Sequence, residues 1–195
     1  MTFKFLNQPL LLGRYEPEGI YLHTPLDLRL RVVQLWGEHA EFYARYQYNG
    51  IPLKGHVGID FGAPIGTTVL AVAGGRVIEQ SYEPNGFGQY VKLEHAWGES
   101  LYAHLEEVLV DAGQFVKGGE RIAHSGDGNG AHPPHLHFGV RVKPFNRYDG
   151  WGGFTDPLPF LSNTDLDLPD DYLADEPNPF APPAMAVERA GMRRP

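Results

Sequence analysis

The sequence predicts a mainly β domain with few short helices, on its composition and on two patterns along the chain. Its 195 residues include 24 Gly, 17 Pro, 11 Phe, 10 Tyr and 3 Trp, a mixture that favours turns and strands over a helical bundle. From Thr67 onward, apolar and polar residues alternate with the period of a strand, and Gly- or Pro-bearing breaks separate the runs. A chain of this length is enough for one sizeable core and short for two.

Residues 1–25 are short apolar pieces broken by Asn7, Pro9, Gly13, Pro17, Gly19 and Pro25, read as an irregular arm with one or two short strands. Leu28 to Trp36 alternates Leu28, Leu30 and Val32 with Arg29 and Arg31, which predicts a strand. Glu38 to Tyr46 suits one or two helical turns. Tyr43, Tyr46 and Tyr48 are expected to pack on the core, with the lining of a groove as the alternative. Gly55 to Pro64 reads as extended, because Gly55, Gly58, Gly62 and Pro64 oppose a helix. Val69, Ala71 and Ala73 lead to Gly74-Gly75, expected as a tight hairpin returning through Arg76 to Ser81. Gln89 to His95 places Val91, Leu93 and His95 on one face, so His95 is expected to be buried or at a rim. Two glycine turns around Phe115-Val116, a strand over Arg121 to His124 and a flexible loop from Gly126 to Gly130 follow. Asp149 to Leu161 is expected to close the domain with Trp151 and Phe154 as anchors, and 162–195, rich in Asp and Pro, to be a peripheral tail.

The chemistry is concentrated in Pro134 to Val142, Pro-His-Leu-His-Phe-Gly-Val-Arg-Val. In a strand, Leu136, Phe138, Val140 and Val142 point one way and His135, His137, Gly139 and Arg141 the other. The two histidine Cα atoms then lie roughly 6.6 Å apart, within reach of one metal ion or one water bound to it. His-x-His is also ordinary strand surface, so the pair needs partners. His56 and Asp60 supply them, as borderline-to-hard ligands that suit zinc. Four residues of straight strand span about 13 Å, too far for a shared ion, so the chain must bend between the two. Gly58 is placed for that bend, free in its backbone angles and leaving the space between the side chains empty. In Ser100 to Glu106, His104 stands opposite Leu101, Ala103 and Leu105, and its promotion to a site residue rests on its company.

Composition removes several function classes. Sixteen basic residues against 24 acidic ones leave a net charge of −8, which argues against nonspecific binding to nucleic acid or anionic lipid. With no cysteine, zinc has no thiolate ligand and no disulfide framework exists. No run of 18 apolar residues is present, hence no conventional membrane helix is expected, and residues 1–30 carry no recognisable signal peptide. The Gly126 to Gly130 loop lacks the Gly-Lys-Ser/Thr of a phosphate cradle.

Gly-His-x-Gly-x-Asp, then Ala-Pro-x-Gly-Thr-x-Val-x-Ala-x-x-x-Gly-x-Val, then Tyr-x-His-Leu, then His-Leu-His-Phe, in that order, resembles the lysostaphin/LytM-type zinc metallopeptidases. The resemblance implies antiparallel sheets in a barrel-sandwich hybrid, the duplicated hybrid motif, with an open cleft. It also implies one zinc per chain and hydrolysis of stem or cross-bridge peptides in bacterial peptidoglycan. Carried over by motif, His56, Asp60 and His137 are expected as zinc ligands and His104 and His135 as catalytic histidines. Three protein ligands leave a fourth position for water, and with no His-Glu-x-x-His glutamate a histidine must act as base. Which of the two does so stays open. The expected organisation is an arm over 1–33, the peptidase domain over 34–161 and the tail over 162–195. Gly139 stands where relatives often carry an acidic residue, and His124 where they often carry glycine. The presumed substrate lies outside the cytoplasm, so release by a partner, a place on a virion or another export route is expected. The alternative function is a non-catalytic module of the same fold that binds wall or a partner protein.

Overall fold

A computed structural model describes residues 20–161 and 166–169, and the fold is mainly β. The stretch 1–19 and most of the expected tail lie outside the described residues. Strand β1 (Leu30–Gln34) leads through a single helical turn, α1 (Ala40–Tyr43), to the small hairpin of β2 (Gln47–Tyr48) and β3 (Ile51–Pro52) and then to β4 (Ile59–Gly62). Next come β5 (Thr68–Leu70), β6 (Gly75–Glu83), β7 (Gly88–Glu94), β8 (Gly98–Ala103) and β9 (Leu105–Val108). β10 (Phe115–Val116), β11 (Arg121–Ser125), β12 (His135–Val142) and β13 (Leu166–Asp167) complete the order.

An eight-stranded sheet runs β10-β6-β7-β8-β12-β4-β1-β13, antiparallel apart from the β1–β13 pair, and a three-stranded antiparallel sheet runs β5-β11-β9. The two sheets share one core. Ile59, Phe61, Tyr102, Leu136, Phe138 and Val140 of the large sheet meet Val69, Ile122 and Ala123 of the small one, all fully buried. Each such aliphatic or aromatic side chain contributes about 1.5–3 kcal/mol when taken from water.

The alternation of β12 therefore behaves as expected on its Leu136, Phe138 and Val140 face. Its other face is also covered, which the sequence reading did not anticipate. Val57, Tyr90, Leu101, Ala103 and Phe154 form a second apolar cluster there, and Arg141 beside them is only 1% exposed. Its guanidinium lies over the Phe154 ring at 4.0 Å, donates to Glu99 at 2.7 Å and to the Gly152 carbonyl at 2.9 Å. Trp151 stacks on Trp36 with centroids 4.7 Å apart, so the closing loop is pinned at both anchors.

Gly74-Gly75 is not a hairpin. β5 pairs with β11 while β6 pairs with β7 and β10, so the two glycines carry the chain from one sheet to the other. A side chain at Gly75 would stand 2.5 Å from the Glu94 carbonyl and 2.6 Å from His95 Nδ1, which makes close approach the reason for glycine there. The expected division at 33/34 passes through β1, whose Leu30 and Val32 sit in the core, and Leu166 pairs beside Leu30. No described helix is long and apolar enough to cross a membrane.

Candidate active site

The pairing of β4 with β12 sets the floor of a cleft of about 710 Å³. Their register puts His137 opposite Asp60, so the two side chains leave the sheet on the same face. His56 reaches them by a bend at Val57-Gly58 ahead of β4, and its Nε2 ends 3.1 Å from Asp60 Oδ1. Gly58 serves this by the room it leaves, not by unusual backbone angles: its φ lies outside the left-handed region. A Cβ there would stand 2.5 Å from the Phe138 carbonyl and 2.7 Å from His137 Cε1. Gly58→Ala is accordingly expected to cost about 1–3 kcal/mol by overpacking, read as a lowered midpoint in denaturant titration.

Three ligand atoms converge: His137 Nδ1 lies 2.9 Å from both His56 Nε2 and Asp60 Oδ1. All three residues are buried, and their candidate ligand atoms lie within 4.8 Å of one another. The hydrogens do not suffice for this arrangement. His56 Nδ1 donates to the Leu35 carbonyl at 2.9 Å, so in the neutral ring Nε2 presents a lone pair. That lone pair faces the lone pairs of Asp60 Oδ1, and any hydrogen on His137 Nδ1 serves only one of them. A cation at their common point resolves the conflict, and two imidazoles with one carboxylate form a donor set that fits zinc. The residues present fit the metal that the sequence motifs imply.

Electrostatics agree with an ionised Asp60 carboxylate beside a neutral His137 ring. Burial pushes the Asp60 carboxyl up, yet the imidazoles of His137 and His56 beside it outweigh that and hold the group well below the usual carboxylate range. Burial also lowers His137, against the pull of Asp60. His104 is held down to about 2 by burial and by His137 and His135, and is therefore neutral. His95, bonded to Ser100 Oγ and the Gly74 carbonyl, is likewise lowered by burial. In each of these imidazoles the folded chain binds protons less readily than the unfolded one. Stability is thus complete above the ordinary histidine value of about 6.5 and declines as pH falls below it. Thermal melts of the metal-free protein are expected to show a lower Tm at pH 5 than at pH 8, and equal values would contradict buried neutral imidazoles.

His104 and His135 stand together at the cleft, ring centroids 4.6 Å apart. His135 Nδ1 donates to the Pro133 carbonyl at 2.7 Å, which leaves the Nε2 lone pair 3.6 Å from Asp60 Oδ2. His104 arrives by a route that simple alternation does not give. Tyr102 faces the main core and Ala103 the cleft, opposite His137, so strand parity would turn His104 into the core. The chain leaves β8 at that residue in a left-handed conformation, φ +58°, and the ring swings to the cleft. The His104 ring reaches the cleft through this backbone turn and not through the strand alternation that the sequence suggests.

Two cleft residues, His132 and Phe87, escaped the sequence reading. His132 puts a further imidazole 4.9 Å from the His104 ring, and Phe87 packs on His137 at 5.4 Å. Tyr43 stacks on His56 at 5.3 Å and accepts a hydrogen bond from Gln34 Nε2 at 3.0 Å. Burial and the Asp60 charge push its hydroxyl up to about 12, so it stays protonated. Tyr43, Tyr46 and Tyr48 line the cleft, as the groove alternative has it, and Tyr48 also packs on the second apolar cluster as the core reading has it. The local signal was the cluster of three tyrosines between a strand and the His56 segment.

An antiparallel β cleft floored by a His-Asp-His cluster, with further imidazoles beside it, is the framework of a metal-assisted peptidase. Residues 54–148 match peptidase family M23. A peptidoglycan DD-endopeptidase of Vibrio cholerae, ShyB, is 40% identical over 89 residues, 45% of this chain and 21% of that protein. The structure of the antimicrobial peptidase lysostaphin from Staphylococcus simulans superposes with TM-score 0.54 and 28% identity, over 68% of this chain and 49% of that one. A zinc-containing peptidase from Vibrio cholerae gives TM-score 0.53 and 28% identity, over 77% and 41%. Residues 54–148 are an M23 peptidase domain of the lysostaphin/LytM type. The chain spans about a fifth of that DD-endopeptidase and less than half of either structure's chain.

Proposed function

We propose that this chain is a zinc-dependent endopeptidase that hydrolyses stem or cross-bridge peptides of bacterial peptidoglycan, with its catalytic residues all within 34–161. The observation that carries the reading is the convergence of His56 Nε2, Asp60 Oδ1 and His137 Nδ1 on one buried point. These three residues would hold the zinc. When bound, zinc supplies positive charge that polarises a scissile carbonyl and lowers the pKa of water to about 7.

The remaining steps fall to the protein. With its Nδ1 hydrogen held by the Pro133 carbonyl, His135 accepts the proton of the attacking water on Nε2. His104 has a buried Nδ1 without a hydrogen-bond partner among the described residues. A hydrogen there would be stranded, so it resides on Nε2, where it donates to the oxyanion that develops on the substrate. Phe87, Tyr43 and Tyr48 wall the cleft, exclude water and seat the peptide. The relatives' peptidoglycan and zinc chemistry supports the choice of substrate and ion.

The test is removal and return of metal. Digestion of defined muropeptides, with the new amino termini identified, is expected to stop after chelation and to resume on addition of about one equivalent of zinc. Cleavage that continues undiminished in the metal-free protein would sink the reading.

A further inference from the structure

His56 is held by a device that the metal cluster itself does not include. Its backbone N–H donates to the Glu38 carbonyl at 3.0 Å, its carbonyl accepts from Gly37 N–H at 2.9 Å, and its Nδ1 donates to the Leu35 carbonyl at 2.9 Å. Every polar atom of His56 that does not face Asp60 and His137 is thus bonded to the four-residue turn Leu35 to Glu38. The turn is closed by one side chain, the Glu38 carboxylate, whose Oε2 accepts the Leu35 N–H at 2.9 Å. The backbone on either side of Glu38 is left-handed, at Gly37 (φ +79°) and at His39 (φ +54°). A non-glycine residue in that region costs on the order of 1–3 kcal/mol and persists only where its surroundings impose it. Contact with the ligand segment is at backbone distance, since a Cβ on Gly55 would lie 2.5 Å from the Gly37 carbonyl.

We propose that Glu38 is a positioning residue for His56, which by closing the Leu35 to Glu38 turn fixes the imidazole's tautomer and tilt and so sets the affinity of the site for its metal. The proposal rests on the metallopeptidase reading of that site. The physical reason is that the Glu38 side-chain oxygen is the acceptor that satisfies the Leu35 N–H and so closes the turn. Without it the Leu35 N–H loses its partner and the turn relaxes. The Leu35 carbonyl then drifts from Nδ1, and the ring loses the acceptor that keeps its hydrogen away from Nε2. Groups that orient a metal-bound histidine in this way typically account for about 10–100-fold in metal affinity.

Zinc titrations against a chromophoric chelator, together with visible spectra of the cobalt(II)-loaded protein, test this in the parent and in Glu38→Ala, Glu38→Asp and Glu38→Gln. The Ala variant loses the acceptor and the Asp variant falls short of Leu35 N by one methylene. Both are expected to bind zinc about 10–100-fold more weakly, with an altered cobalt spectrum and little change in the Tm of the metal-free protein. The Gln variant keeps an acceptor oxygen at the same reach and is expected to stay within about threefold of the parent. Parent-like affinity in both Ala and Asp variants overturns the proposal, and so does a lowered Tm with affinity intact. A parent that binds neither ion overturns the metallopeptidase reading, and the proposal with it. Should the Ala variant fail to fold, the Asp variant decides by the same criterion.

Discussion

Replacing His104 by alanine is expected to leave zinc bound and to lower kcat by about 10²–10⁴-fold, the range lost with one acid-base or oxyanion group. His137→Ala is expected to lose the metal and the activity together. The contrast follows from where the rings stand. His137 Nδ1 lies 2.9 Å from each of the other two candidate ligand atoms, whereas the His104 ring centroid is 6.0 Å from that of His137. Removing the first leaves two donors and an open cage; removing the second leaves the cage complete and takes away only a neutral imidazole at its edge. Zinc content by atomic emission and turnover of a defined muropeptide, measured on both variants, separate the two roles. A His104 variant with parent turnover would remove that residue from the mechanism.

Glu99→Ala is expected to destabilise the fold by about 3–5 kcal/mol, because it strands a buried cation. Arg141 is 1% exposed, and Glu99 is its one carboxylate partner among the described residues, at 2.7 Å. What then remains in contact is the Gly152 carbonyl and the faces of Phe154, Tyr48 and Phe145, which do not neutralise the charge. The double change Glu99→Ala with Arg141→Met is expected to recover most of the loss, since an apolar chain of similar length fills the space without a charge. Urea denaturation of the three variants supplies the comparison. A Glu99→Ala midpoint equal to the parent would show that the pair is not what secures the closing loop.

Much of the active-site geometry was legible in the sequence because its parts are local. His-x-His on a strand fixes two side chains to one face by period alone, and His56, Gly58 and Asp60 carry their bend within five residues. The reading of Gly139 shows the limit. Its neighbour is Phe154, whose ring would lie 3.1 Å from a Cβ at that position, so the glycine admits an aromatic anchor from a loop fifteen residues away. Nothing near Gly139 in the chain announces that contact.

By itself, the sequence determined the strand class, the residues proposed to carry the chemistry and the donor types available to a metal, all of which follow from side-chain chemistry and a period of two. Tertiary structure alone decided that Gly74-Gly75 joins two sheets, that both faces of β12 are buried and that His104 enters the cleft. It also decided that the turn ending at Glu38 grips His56. Each of these depends on which distant backbone lies alongside, a matter of long-range packing and of left-handed residues that break local alternation, and neither leaves a mark in short-range spacing.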